Sequence, residues 1–271
     1  MSVTRDRPVI SKVLHQELMD LLARDKRMDG RALHEFRKME VETGMLKKAE
    51  GSALVSVGGT KVLAGIKVDL GSPFPDTPNQ GVLTVNAELL PLASPTFEAG
   101  PPDERSIALA RYVDRSIRES KAIDLEALAL QPGKMVQVLY IDIYVLDYNG
   151  NMTDTAVLAA VKALENTNLK RYTLEGDTPT FNGETVPLAL KDYPISTTFG
   201  IIGEKFFLDP NLEEEHAAEG FMSYTYTQEG NLCAVMKNEQ GYLSPSQIFD
   251  MLDVGWEKAQ EISRAMNWRK D

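Results

Sequence analysis

Apolar positions along the chain follow two periods, and stretches of each come in clusters instead of alternating one for one. Residues 10–23 repeat at the helical period, with Val13, Leu14, Leu18, Leu21 and Leu22 on one face and Ser11 placed to cap. Residues 37–42 and 51–68 alternate as strands, and Gly58-Gly59 divides the second into a predicted hairpin. A proline-rich loop, 71–80, precedes a strand at 82–90. The helical period returns from Asp103 to about residue 120, a β-branched and aromatic run over 133–147 reads as a long strand, and 154–165 is an alanine-rich helix. Short strands follow at 194–202 and 205–208, and 220–236 forms a hairpin turning near Glu229-Gly230-Asn231. The last helix covers 244–266, capped by Ser244 with Pro245 at its first position. This order predicts an α+β protein with a larger first part and a smaller second one. Turn and polar residues place the division at 174–185.

The stretch from 86 to 121 carries the most chemistry. Pro95, Gly100, Pro101 and Pro102 form a rigid loop that feeds the helix beginning at Asp103, a good N-cap, with Glu104 adding negative charge at the positive helix end. Leu109, Ala110, Val113 and Ile117 fall on one face. Arg111, Arg115 and Arg118 line up opposite them. Guanidinium groups are permanently charged forks suited to phosphate oxygens. Asp114 and Glu119 stand four residues from Arg118 and Arg115, so intrahelical ion pairs on a solvated face are the alternative, and by spacing alone the commoner one.

A formal net charge of −11 excludes a protein that coats nucleic acid with general positive charge, so any polyanion must meet a local basic site or one shared with a more basic partner. The single cysteine, Cys233, rules out an internal disulfide and reads as a small buried hydrophobe in the run LCAVM. His15, His34 and His216 are too scattered to hold a metal, and no phosphate-loop, dinucleotide or zinc-protease motif is present, so no cofactor is expected. The acidic run Glu213-Glu214-Glu215 reads as a solvated loop. No apolar stretch reaches bilayer length and the first residues lack a signal-peptide core, so the expected location is the cytoplasm, with no membrane partner.

Several motifs resemble the RNase PH family, and within it the non-catalytic ring subunits of the archaeal exosome. They are MDGR at 28–31, GSALVSVGGTKVLAGI at 51–66, NAELLPLASPTFEAGPPDERSIALARYVDRSIRESKAID at 86–124, and VLDYNGNMTDTAVLAAVKAL at 145–164. The resemblance implies the RNase PH fold, a β-α-β-α arrangement like the second domain of ribosomal protein S5. Residues 1–30 would then be a helical extension, 31–180 the larger lobe and 181–271 the smaller. It also implies a hexameric ring of three heterodimers with a catalytic RNase PH-like partner, RNA-binding cap subunits, and single-stranded RNA degraded from the 3′ end by phosphorolysis. Active members hold phosphate with a Gly-Thr-Arg-like segment at the start of the alanine-rich helix. Residues 149–154 here have no arginine and gain Asp154. Of two aspartates that active members use, Asp192 would match one, with Val186 or Pro187 at the other, and a structural role suits Asp192 better. The resemblance therefore implies no catalytic residue and no metal, and assigns RNA binding to Arg111, Arg115 and Arg118. The alternatives are a phosphorolytic 3′-to-5′ exoribonuclease active in its own right, and a scaffold whose arginines only form ion pairs.

Overall fold

The computed structural model describes residues 12–176, 178–239 and 241–268 of the chain. The first half builds one mixed sheet. Its strands are β1 (Met39–Thr43), β2 (Gly51–Val57), β3 (Thr60–Gly71), β4 (Val82–Leu89), the short β5 (Ala129–Gln131) and β6 (Met135–Asp147), in the order β1-β2-β3-β6-β4 with β5 on β6. The predicted hairpin closes with Val57 opposite Thr60, and Gly58 supplies the left-handed turn residue at φ 55°. β4 runs parallel to β6, which requires a crossover, and α2 (Glu104–Glu119) provides it.

A second, antiparallel sheet comes from β9 (Ile195–Ile202), β10 (Lys205–Leu208), β11 (Gly220–Tyr226) and β12 (Leu232–Asn238), in the order β10-β9-β11-β12. Between the two sheets lies α3 (Met152–Glu165), buried from Asp154 to Leu164. A helix apolar all round belongs in an interior, and its alanines let both sheets approach closely. The approach is tightest where β2 begins. A Cβ on Gly51 would stand 2.4 Å from the Ala163 carbonyl. α5 (Pro245–Ala265) covers the far face of the second sheet and completes a β-α-β-α stack, and one apolar core runs through all four layers.

The structure departs from the sequence pattern in two places. Residues 174–175 and 178–185, where turn and polar residues place the division, belong to an exposed two-stranded ribbon, β7 (Asn168–Glu175) and β8 (Thr178–Pro187). Both of its faces are largely polar, so no alternation marks it. The acidic run 213–215 is no solvated loop but the middle of a short helix, α4 (Leu212–Ala217), closed by a capping box between Asn211 and Glu214. Trp268, near the chain end, is buried. Its ring stacks on Tyr193 and lies 4.5 Å from the Lys162 ammonium, while its indole N–H donates to Glu165.

The N-terminal helix α1 (Lys12–Leu22) packs Leu18 and Leu22 against Ile202, Phe207, Ala217 and Ala218, while Ser11, its expected cap, lies outside the described residues. Just after α1, one residue of the charged segment 26–31 turns inward. Arg27 is buried, stacks over Phe207, makes a two-pronged ion pair with Glu214 and donates to the Leu208 and Asp209 carbonyls at 2.6 and 2.9 Å.

Candidate nucleic-acid interface

α2 starts as the sequence predicts. The Asp103 carboxylate accepts the Ser106 N–H at 2.8 Å, and Leu109, Val113 and Ile117 are buried. The sequence pattern missed the polar groups on the buried face, Tyr112 and Ser116. The Tyr112 hydroxyl meets Ser196 at 3.2 Å and Thr225 at 3.0 Å, and Ser116 meets Thr225 at 2.9 Å. These bonds tie α2 to the second sheet and fix its rotation about its own axis, and so fix where its opposite face points.

That face borders a groove of about 780 Å³, with α2 as one wall and the edge strand β4 as the other. The three arginines differ there. Arg118 is bound to Asp114 at 2.6 Å and donates to the Leu83 carbonyl at 3.1 Å, and the Asp114 hydrogen bond holds its guanidinium above the ordinary range. Arg111 and Arg115 are exposed, and among the described residues neither has an ion pair or a side-chain hydrogen bond, with Glu119 included. They stand one turn apart, about 6 Å along the axis. The intrahelical-pair reading holds for Arg118 and fails for the other two.

A second cavity, about 650 Å³, opens at the start of α3, between the 94–96 turn, the first half of α2 and the second sheet. The resemblance places the phosphate-binding segment here. Asn151, in the left-handed region at φ 51°, caps the helix, and its own N–H is taken at 2.7 Å by the Glu215 carboxylate, which also accepts the Tyr148 hydroxyl. Burial pushes the Glu215 carboxyl above its usual range despite those two donors. Asp209 is fully buried beside it and accepts Asn151 Nδ2 at 2.8 Å, Arg31 at 3.0 Å and Arg37 at 2.7 Å. Thus the positive end of α3 faces the chain's own carboxylates, and Arg31 and Arg37 spend their charge on Asp209.

Asp192, matched from the sequence to a catalytic aspartate, takes the Tyr193 and Gln228 N–H groups at 2.6 and 3.0 Å and so ties the strand entry to the β11–β12 turn. Val186 and Pro187 lie in the β8 ribbon. Besides the helix's own Asp154, the carboxylates that converge on the start of α3 are Asp209, placed just after β10, and Glu215, brought there by the capped turn of α4. Cys233 is half-buried with its thiol pushed up to about 12 by burial, which leaves no thiolate for chemistry.

Asp154 lies wholly inside. It accepts Ser196 Oγ, Thr198 N–H and Thr198 Oγ1, each at 2.7 Å, and Asn151 Nδ2 at 2.9 Å. Burial pushes its carboxyl up to about 6 against the pull of these bonds. The folded state therefore holds this proton more tightly than the unfolded chain, and the contribution of Asp154 to stability falls as pH rises from about 4 through 6. Asp154→Asn can donate to the two hydroxyls while accepting Thr198 N–H and Asn151 Nδ2. Urea midpoints between pH 4 and 7 should show the parent losing up to about 3 kcal/mol relative to the variant, at 1.36 kcal/mol per unit. Parallel pH profiles for the two proteins would refute this placement of the proton.

Sequence and fold agree with one assignment. Residues 35–170 match domain 1 of the 3′ exoribonuclease family, RNase PH, and residues 192–258 match its domain 2. The chain belongs to the RNase PH family. The exosome complex component Rrp42 of Thermococcus gammatolerans is 44% identical over 96% of each chain, and that of Pyrococcus abyssi is 45% identical over 96% of this chain and 95% of its own. Among solved structures, a chain of the Archaeoglobus fulgidus exosome with RNA bound to the active site superposes with a TM-score of 0.87 at 40% identity, covering 94% of this chain and 98% of that one. A chain of an archaeal exosome core gives 0.83 at 37%, covering 94% and 96%. The α+β stack is thus the RNase PH fold, which the rice Rrp46 structure shares at a TM-score of 0.69 and 18% identity over 89% of this chain and 98% of that one. Among the described residues no helix is long and apolar enough to cross a membrane.

Proposed function

We propose that the chain is a non-catalytic subunit of an exosome ring of the archaeal type, which degrades RNA from the 3′ end in the cytoplasm. It alternates with a catalytic RNase PH-like partner as three heterodimers under RNA-binding cap subunits. Residues 31–180 and 181–271 are its two lobes. The gap between the two family matches, from 170 to 192, supports a boundary in the β7–β8 region.

In this reading Arg111 and Arg115 grip backbone phosphates of single-stranded RNA that passes along the α2 groove, and Arg118 adds charge with its remaining donors. Backbone contacts carry no sequence information, which suits a machine that must accept any RNA. The observation that carries the proposal is the contrast between the two sites. One presents two unpaired cations, and the other fills its helix end with Glu215 and Asp209. A phosphate dianion at the start of α3 would displace a buried carboxylate and meet Asp154 behind it, without the cation that charge-assisted bonds require.

The cavity itself, with Arg105 on its rim, favours the second reading of an enzyme in its own right. Arg105 is held there by Asp103 at 3.1 Å and lies over the Phe97 ring. Phosphate-dependent release of nucleoside diphosphate from a short oligoadenylate separates the two. No release by this chain alone and robust release after mixing with a catalytic RNase PH-like partner is the expected result. Release by the chain alone would make Glu215 and Asp209 the first residues to replace.

A further inference from the structure

Beyond Arg118 the groove along α2 meets a second one of about 870 Å³, between the proline-rich loop 71–80 and the chain that follows α2, and Arg118 lines both. Phe74 in that loop is 54% exposed and belongs to none of the core clusters. A phenylalanine left outside the core forgoes the free energy of burying its ring. Its position is nonetheless fixed. Prolines flank it on both sides, Thr77 N–H bonds to its carbonyl at 3.1 Å, Gln80 N–H bonds to Thr77 at 3.1 Å, and Gly133 N–H bonds to Pro78 at 2.7 Å. The backbone is rigid while the ring faces solvent.

Lys121 shares this groove. It follows α2 in the left-handed region at φ 55°, is exposed, and among the described residues its ammonium has no ion pair. Lys191 is neutralised by Asp124 at 2.7 Å, and Asp76 and Glu126 also line the groove. Acidic and basic side chains are equal in number here, and in the α2 groove too Arg111, Arg115 and Arg118 share the walls with Glu88, Asp114, Glu119 and Asp142. A run of phosphates would find little net attraction, whereas bases need an aromatic surface and tolerate a neutral one.

The geometry points to a second RNA contact. Phe74 is a stacking platform for a base of the strand whose phosphates lie on Arg111 and Arg115, and Lys121 holds a phosphate beside it. This rests on the RNA-binding reading above and extends it to the bases, with no preference among them, because every base has a π-face.

The test measures binding of oligoadenylates of graded length to the ring assembled with its catalytic partner, by fluorescence anisotropy at several salt concentrations. Phe74→Ala should weaken binding of the longer RNAs about five-fold or more, from roughly 1–3 kcal/mol per stacked base, with the salt slope unchanged. Phe74→Trp should restore it. Lys121→Ala should make the slope shallower by about 0.7. Unchanged affinity in Phe74→Ala overturns the proposal. So does loss of the ring on a sizing column, which would make Phe74 a protein contact. The Arg111→Ala, Arg115→Ala ring is measured alongside. If it loses affinity while Phe74→Ala does not, the stacking contact alone is wrong, and if neither loses affinity, the phosphate reading falls as well.

Discussion

Replacing Arg111 and Arg115 together with alanine should weaken binding of single-stranded RNA to the assembled ring about 30-fold, taking roughly 1 kcal/mol for each exposed guanidinium–phosphate contact. The salt dependence should change with it. Each phosphate released from a single strand removes about 0.7 from the slope of log K against log salt, so the double variant should be shallower by about 1.4. Stability should hardly move, because both side chains are exposed mid-helix with no ion pair to lose and alanine is a strong helix former. Arg118→Ala should behave differently. It breaks the Asp114 pair and the bond to the Leu83 carbonyl, so part of its cost appears as a looser seam between α2 and β4. If titrations of the parent and double-variant rings coincide in both affinity and salt slope, the stripe is only a solvated face.

A different kind of loss is expected at Arg27. Arg27→Ala should destabilise the chain by about 3–5 kcal/mol, the usual cost of removing one partner of a buried ion pair. Glu214 would stay buried with only the longer Arg31 contact at 3.8 Å, the Leu208 carbonyl would lose this donor, and the Asp209 carbonyl would keep Arg31 at 3.2 Å. Because Glu214 also completes the cap of α4, the damage should reach Glu215 and Asp209 at the start of α3. Urea unfolding with the parent and Glu214→Gln as references measures it. A midpoint within experimental error of the parent would show that water or a neighbouring cation replaces the guanidinium.

These two arginine sets were unequally legible. Arg111 and Arg115 could be read from the sequence because a helix places residues four apart on one face whatever surrounds it. Arg27 stands in a short charged segment with no helical or strand period to place it. Its partner is 187 positions away, and no local pattern carries a contact of that separation. The α4 region failed for the same reason. Three glutamates in a row read as solvated, yet Glu214 and Glu215 turn inward because Arg27, Tyr148 and the Asn151 N–H wait for them. The β7–β8 ribbon escaped for the opposite reason, since exposure of both faces erases the alternation that marks a strand.

What the chain determined by itself was local or compositional. It fixed α1, α2, α3 and α5, the caps at Asp103 and Ser244, the β2–β3 hairpin, the apolar character of α3 that demands burial, and the absence of an arginine at 149–154, where the resemblance expects one. The tertiary structure alone decided which charges are spent. Folding paired Arg31 and Arg37 with Asp209, realised only the Asp114–Arg118 pair of the two that spacing offered and left Arg111 and Arg115 open, and it brought Asp209 and Glu215 to the positive end of α3. Charge on a side chain is a property of the residue. Whether that charge remains available to a ligand depends on the neighbour that three-dimensional packing supplies.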